Sequence, residues 1–278
     1  MEPQRGILRE NSGVARSVEG LHSSSAGVRG AFITGASSGL GAALARHYAA
    51  HGAAVGLFAR RHDALLELAA GLPSGRVATY AGDVCEPAAL KDAAEDFIAR
   101  FGAPDVVVAN AGISRGALTG HPEDLPAFRE VLDTNVVGLI HTFAPFLASM
   151  RAARRGALVG IASVAGFRGL PGSGAYCASK AAAIVYLESL RVEEHDTGVA
   201  VITICPGYIG TPMTANNPYP MPFLLDVDKA ARLIGRAIER RRRFYVLPWQ
   251  MALVARVLRA LPRPIYDALL ARAPRKPR

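Results

Sequence analysis

From Gly30 onward the chain alternates short, uninterrupted apolar runs with Ala- and Leu-rich stretches of helical composition, and few folds accommodate that order. A repeated strand, helix, strand succession predicts a parallel sheet covered by helices on both faces. The expected strands are 30–34 (GAFIT), 54–59 (AVGLFA), 76–80 (RVATY), 105–109 (DVVVA), 156–162 (GALVGIA), 199–204 (VAVITI) and 244–247 (FYVL). Runs 106–109 and 199–204 are continuously rather than alternately apolar, as a strand buried on both faces requires. The fold class is therefore α/β, a Rossmann-type doubly wound parallel sheet of about seven strands in one domain. Residues 1–29 have no apolar period and read as a disordered leader, 30–248 as the Rossmann-type domain, and 249–278 as a basic helical extension.

The first strand runs into Thr34-Gly35-Ala36-Ser37-Ser38-Gly39-Leu40-Gly41 and then directly into a helical segment through His51. Glycines at 35, 39 and 41 let the backbone turn sharply, approach a pyrophosphate and pack on the sheet, and the free N–H groups of the helix start attract phosphate charge. Alone, the triplet also fits an ordinary strand-to-helix turn. A dinucleotide fold selects its ligand at the end of the second strand, where a carboxylate would hold a ribose 2′-hydroxyl. Arg60 and Arg61 stand there instead, and guanidinium groups favour a 2′-phosphate, so NADP(H) is expected over NAD(H).

Tyr176 and Lys180 are four residues apart in a helix-forming context, which puts a phenol and an ammonium on one helix face. A phenol of pKa about 10 is a poor acid or base at neutral pH, and a neighbouring cation lowers that value by stabilising the phenolate. Such a pair suits proton exchange with an alcohol or ketone oxygen. Ser163 ends the fifth expected strand, at the carboxyl edge of the sheet, where its hydroxyl can hydrogen-bond a carbonyl. Asn110-Ala111-Gly112 follows the fourth strand and can line the same cleft, while Asn135 stands inside a long helical segment, 126–150, as a buried-amide candidate.

In this arrangement the chain resembles the short-chain dehydrogenase/reductase family, in its one-domain branch, over about Gly30 to Val246. The family's cofactor turn is similar to Thr34–Gly41, including Ser37, Ser38 and Leu40; its adenine-side acid is similar to Asp83, followed by Val84. Its post-strand motif matches Asn110 to Gly112, and its Pro-Gly near the nicotinamide matches Pro206, Gly207, Ile209 and Thr211. The four catalytic positions match Asn135, Ser163, Tyr176 and Lys180. The resemblance implies that Tyr176 exchanges the proton, Lys180 holds the nicotinamide ribose and lowers the tyrosine pKa, and Ser163 orients the carbonyl. It also implies that Asn135 supports a water-linked proton relay, although a purely structural amide is the alternative there. The hydride belongs to the cofactor. The implied reaction interconverts a ketone or aldehyde and an alcohol, in a homo-oligomer, dimer or tetramer.

Two other readings are weighed against it. A sugar-nucleotide epimerase or dehydratase needs a larger C-terminal domain than the roughly 70 residues after Pro206. A nucleotide sensor without turnover needs none of the proton chemistry that the four positions supply. Cysteines 85, 177 and 205 form no CxxC pair, and the seven histidines show no HExxH grouping, so no metal and no disulfide framework are expected. Cys177 reads as a packed small side chain rather than a nucleophile. That cysteine usage, with no apolar segment near the N-terminus and no uninterrupted apolar span, fits a cytoplasmic protein.

The net charge of +9 is concentrated at one end. Residues 229–278 hold 14 basic groups against Glu239 and Asp267, whereas the rest of the chain is slightly acidic, so no nucleic-acid partner is implied. The proline-bearing stretch Pro212–Asp228, with Met213, Tyr219, Met221, Phe223 and Leu224, reads as a loop over the substrate side; its apolar residues suit a hydrophobic substrate or simple loop packing. Arg240–Arg243 precede a helix, Trp249–Leu261, with Met251, Leu253, Val254, Val257, Leu258 and Leu261 on one side and Arg256 and Arg259 on the other. That pattern over 240–261 serves either peripheral contact with an anionic membrane or docking on the body or a second subunit. Pro262, Pro264 and the tail Arg272–Arg278 are expected to leave the fold.

Overall fold

Runs of β-branched and aromatic residues too short for a stable helix become strands once neighbours cover both faces. In a computed structural model, which describes residues 27–73, 75–215, 217 and 220–276, there are seven strands. They are β1 (Gly30–Thr34), β2 (Ala54–Ala59), β3 (Val77–Ala81), β4 (Val106–Ala109), β5 (Ala157–Ile161), β6 (Ala200–Pro206) and β7 (Phe244–Leu247). Each lies within two residues of its expected span. All neighbouring pairs are parallel, in the order β3-β2-β1-β4-β5-β6-β7, with Ile33 facing Leu57 on one side and Val108 on the other. The winding reverses between β1 and β4, which leaves a crevice at the carboxyl ends of those strands.

The helices are α1 (Gly39–Ala50), α2 (His62–Ala70), α3 (Pro87–Phe101), α4 (Leu125–Leu132), α5 (Gly138–Ala153), α6 (Gly174–Glu193), α7 (Val227–Glu239), α8 (Trp249–Ala260) and α9 (Arg263–Leu270). Because side chains alternate along a strand, Ile33 and Phe32 serve opposite faces. Ile33 joins Leu44 of α1 and Ile234 of α7 in one core. Phe32 joins Phe97 of α3, Phe146 of α5 and Leu187 of α6 in the other, with its ring 4.7 Å from that of Phe146. Continuous hydrophobicity in the strands is thus consumed on both sides. The helical stretch Pro122–Ala153 is long and apolar enough to cross a membrane, yet Phe143, Phe146 and Met150 within it are core residues of this sheet.

Four sequence expectations are corrected or divided. The single helix over 126–150 is two helices, α4 and α5, joined by a π-helical turn, Asp133–Val137, that carries Asn135. Most of the expected leader lies outside the described residues, but Val28 packs on the core and the Arg29 amide donates to Asp105 at 2.7 Å. The apolar arc of α8 is split: Met251, Val254 and Leu258 face a cavity of the body, as does Ala255, whereas Leu253 and Val257 are exposed. Finally, Pro262 and Pro264 do not end the fold, because Pro264 occupies the first turn of α9, where a missing N–H costs nothing. Tyr266 of α9 is buried and donates to the Gly169 carbonyl, and the tail as far as Lys276 lies against Gly172.

Candidate active site

The glycine turn between β1 and α1 is held by the residues that follow β4. Thr34 is buried; its hydroxyl donates to the Val108 carbonyl and accepts from the amides of Asn110 and Ala111 at 3.2 and 3.3 Å. The Asn110 carboxamide donates to the carbonyls of Thr34 and Gly35 at 2.9 and 3.3 Å. Asn110 therefore braces the turn as well as lining the cleft. Gly35 has φ +65°, and a Cβ there would sit 2.8 Å from the Ala111 Cα. A Cβ on Gly41 would lie 2.3 Å from the Gly35 carbonyl oxygen, so the turn closes only because both are glycine.

A cleft of about 350 Å³ opens above this turn, and the sequence-selected residues converge on it. Every one of them lines it except Gly41, which lies beneath the turn, and Asn135. Ile113, Thr134 and Thr214 line it too and were not anticipated. Thr134 belongs to the unexpected π-helical turn, and Thr214 is positioned by a loop contact, its hydroxyl donating to the Ile209 carbonyl at 2.6 Å. At the rim, Arg61 donates to the carbonyl and hydroxyl of Ser37 at 3.2 and 3.1 Å, and Arg60 pairs with Asp83 at 3.7 Å.

At the other end of the cleft α6 presents Tyr176 and Lys180 toward Ser163. Lys180 is 5% exposed; its ammonium donates to the Ile161 carbonyl at 2.8 Å and lies 5.7 Å from the centre of the Tyr176 ring. Burial pulls it down from the usual lysine value of 10.5 to about 8. The Ser163 hydroxyl accepts from the Ala165 amide at 3.1 Å and donates to the Pro206 carbonyl at 3.5 Å, and the residue lines the cleft. Asn135 is buried behind Gly112, where its side chain bonds both the amide and the carbonyl of Ile113 and the Ser179 hydroxyl, at 2.8 to 2.9 Å. The side chain thus ties the loop after β4 to α6.

A model of the short chain dehydrogenase family matches residues 29–220. The chain belongs to that family. An uncharacterized oxidoreductase of Myxococcus xanthus is 41% identical over 251 residues, 88% of this chain and 97% of its own length. Dehydrogenase/reductase SDR family member 7B of Bos taurus is 34% identical, over 88% of this chain and 81% of that one. Among solved structures, an alcohol dehydrogenase of Thermococcus sibiricus in complex with 5-hydroxy-NADP superposes with a TM-score of 0.69 at 28% identity, covering 79% of this chain and 94% of that one. Levodione reductase does so with a TM-score of 0.73 at 25% identity, over 81% and 98%. This dehydrogenase is thus an NAD(P)-dependent oxidoreductase, and the cleft fits such a cofactor: a glycine cradle with no room for a Cβ, cations at one end and a buried amine at the other.

The dehydrogenase has a second cavity, of about 260 Å³, that shares Ser163, Tyr176, Gly207, Met213 and Thr214 with the first. Val164, Phe167, Leu170, Met251 and Leu258 make its wall apolar. Of the loop residues expected over the substrate, Met213 lines both cavities, Phe223 and Leu224 are exposed, and Tyr219 lies outside the described residues. Cys177 is buried, and burial pushes its thiol up, which suits packing rather than nucleophilic attack.

Proposed function

We propose that the protein interconverts a ketone or aldehyde and an alcohol on a hydrophobic small molecule, with NADP(H) preferred over NAD(H). The observation that carries this reading is the meeting of the two cavities at Ser163 and Tyr176, one wall shaped for a dinucleotide and the other apolar. The glycine turn and Lys180 would hold the cofactor, which when bound would supply or accept the hydride. The substrate oxygen takes a hydrogen bond from Ser163 and exchanges its proton with Tyr176, whose phenolate the Lys180 ammonium stabilises. Asn135 holds the loop of Ile113 in place behind that oxygen. NADPH oxidation against a panel of apolar ketones and aldehydes tests the reading, and tight NADPH binding without turnover of any of them would favour the sensor instead.

The preference for the 2′-phosphate rests on Arg60 and on Arg61, whose guanidinium is fixed over the glycine turn by Ser37. A hydrogen bond to a charged group contributes roughly 1.5–3 kcal/mol, so Arg60→Asp is expected to weaken NADPH binding by one to two orders of magnitude and NADH binding far less. Fluorescence titration of both nucleotides reads this directly, and equal losses would remove the assigned role.

The proposal extends to a homo-oligomer built on α4 and α6, which pack together and expose Leu125, Leu132, Val185 and Val192. Light scattering at micromolar protein is expected to give a dimer or tetramer, and a monomer there would exclude this interface.

A further inference from the structure

The second cavity has an electrostatic imbalance that the reaction does not use. Among the described residues its lining holds no carboxylate but two cations, Arg168 and Lys276. Arg168 is committed. Its guanidinium stacks on the Tyr266 ring at 3.9 Å and donates to the carbonyls of Leu258, Arg259 and Leu261 at 3.1 to 3.4 Å, so the negative end of α8 compensates its charge. Lys276 is not compensated in this way. The tail brings its ammonium over the cavity from outside, where it meets the neutral Ser114 hydroxyl at 2.5 Å and lies 5.8 Å from the centre of the Tyr176 ring. Among the described residues no carboxylate comes within ion-pair distance of it, and burial draws the amine below its usual value. An ammonium held in partly apolar surroundings by one neutral acceptor gains from a counter-ion.

The backbone shows that the tail is seated at this place. Gly172, at φ +72°, lies under it so closely that a Cβ would be 3.0 Å from the Lys276 nitrogen and 3.1 Å from the Arg275 Cβ. Tyr266, anchored on Gly169, fixes the helix from which the tail descends. The cation is thus placed by the anchoring of α9 together with the loop surfaces at Gly172 and Ser114.

We propose that Lys276 recognises a carboxylate on the substrate, so that the second cavity takes an apolar body bearing one negative charge close to the carbonyl handled by Tyr176. A single ammonium in an apolar wall, with no ion-pair partner among the described residues, matches a monoanion; a phosphate dianion would call for further cations or a row of backbone donors. The proposal rests on the oxidoreductase reading for the identity of the reacting group, but its recognition step can be measured without turnover.

The test titrates the protein, saturated with NADP+, with octanoate and with octanamide, which differ in the charged end group. Octanoate is expected to bind at least tenfold more tightly, the ratio to fall toward one in Lys276→Met, and to return in Lys276→Arg. A ratio unchanged in Lys276→Met, tighter binding of the amide, or no binding of octanoate at millimolar concentration would overturn the proposal. A matched pair of a keto acid and its methyl ester supplies the kinetic counterpart: the kcat/KM ratio of acid to ester falls tenfold or more in Lys276→Met. A variant that instead speeds both substrates alike would make the tail a lid rather than a recognition element, and would overturn the proposal as well. Absence of hydride transfer to any carbonyl would sink the oxidoreductase reading while leaving the carboxylate-to-amide ratio measurable.

Discussion

Tyr176→Phe is expected to lower kcat/KM for carbonyl reduction by about 10²–10⁴, the range that a positioned general acid contributes, while NADPH still binds. The substitution removes one oxygen and keeps the ring, so the helix face that Tyr176 shares with Lys180 and the 5.7 Å approach of the ammonium to the ring are retained. The Ser163 hydroxyl donates to the Pro206 carbonyl at 3.5 Å and accepts from the Ala165 amide, and burial pushes the Cys205 thiol up to about 12. Steady-state rates and a nucleotide titration on the same preparation separate the two effects. A loss under tenfold would hand the proton to another residue. Loss of binding together with turnover would make Tyr176 a structural element of the cleft.

What the sequence revealed and what it hid follow one physical division. Features encoded locally were legible: seven short apolar runs gave seven strands, and glycine spacing located the turn at Gly35–Gly41. Tyr176 and Lys180 were legible together because one helical turn brings positions four apart onto one face. The π-helical turn at Asp133–Val137 was not, since one extra residue per turn barely disturbs a period read over 25 residues. That turn carries Asn135, whose side chain bonds Ile113 and does not line the cleft. The face of α8 was half legible. Periodicity showed that it is amphipathic, but only the partner decides that Met251 and Ala255 are buried while Leu253 and Val257 are exposed. The tail misled for a related reason: an arginine- and proline-rich segment looks solvated, and nothing local announces that α9 will carry Lys276 back to Ser114.

Lys180→Met is expected to cut kcat/KM ten- to a thousandfold, because a cation beside a phenol shifts its pKa by about 1–3 units and its removal lowers the phenolate fraction by that factor. The same variant is expected to be as stable as the native chain at pH 7, or slightly more stable. In the fold the amine titrates at about 8 against 10.5 when exposed, and at about 1.36 kcal/mol per unit, burying the ammonium costs roughly 3 kcal/mol. The hydrogen bond to the Ile161 carbonyl offsets part of the desolvation and is contained in that figure, so at pH 7 the ammonium adds nothing to native stability. The sign of the pH dependence tests this. Between pH 8 and 10.5 the unfolded chain holds a proton that the folded chain has released, so native stability rises with pH through this window. Below pH 8 both states are protonated and the full burial cost is present. The stability of the Met variant relative to the native protein should therefore decline from pH 7 to pH 10, as read by denaturant unfolding at each pH. A difference that does not change with pH, or a variant markedly less stable at pH 7, would show that the ammonium is held as a structural anchor. With the expected result, the fold tolerates a buried cation at nearly zero net benefit to stability, beside the tyrosine to which the proposed mechanism assigns the proton.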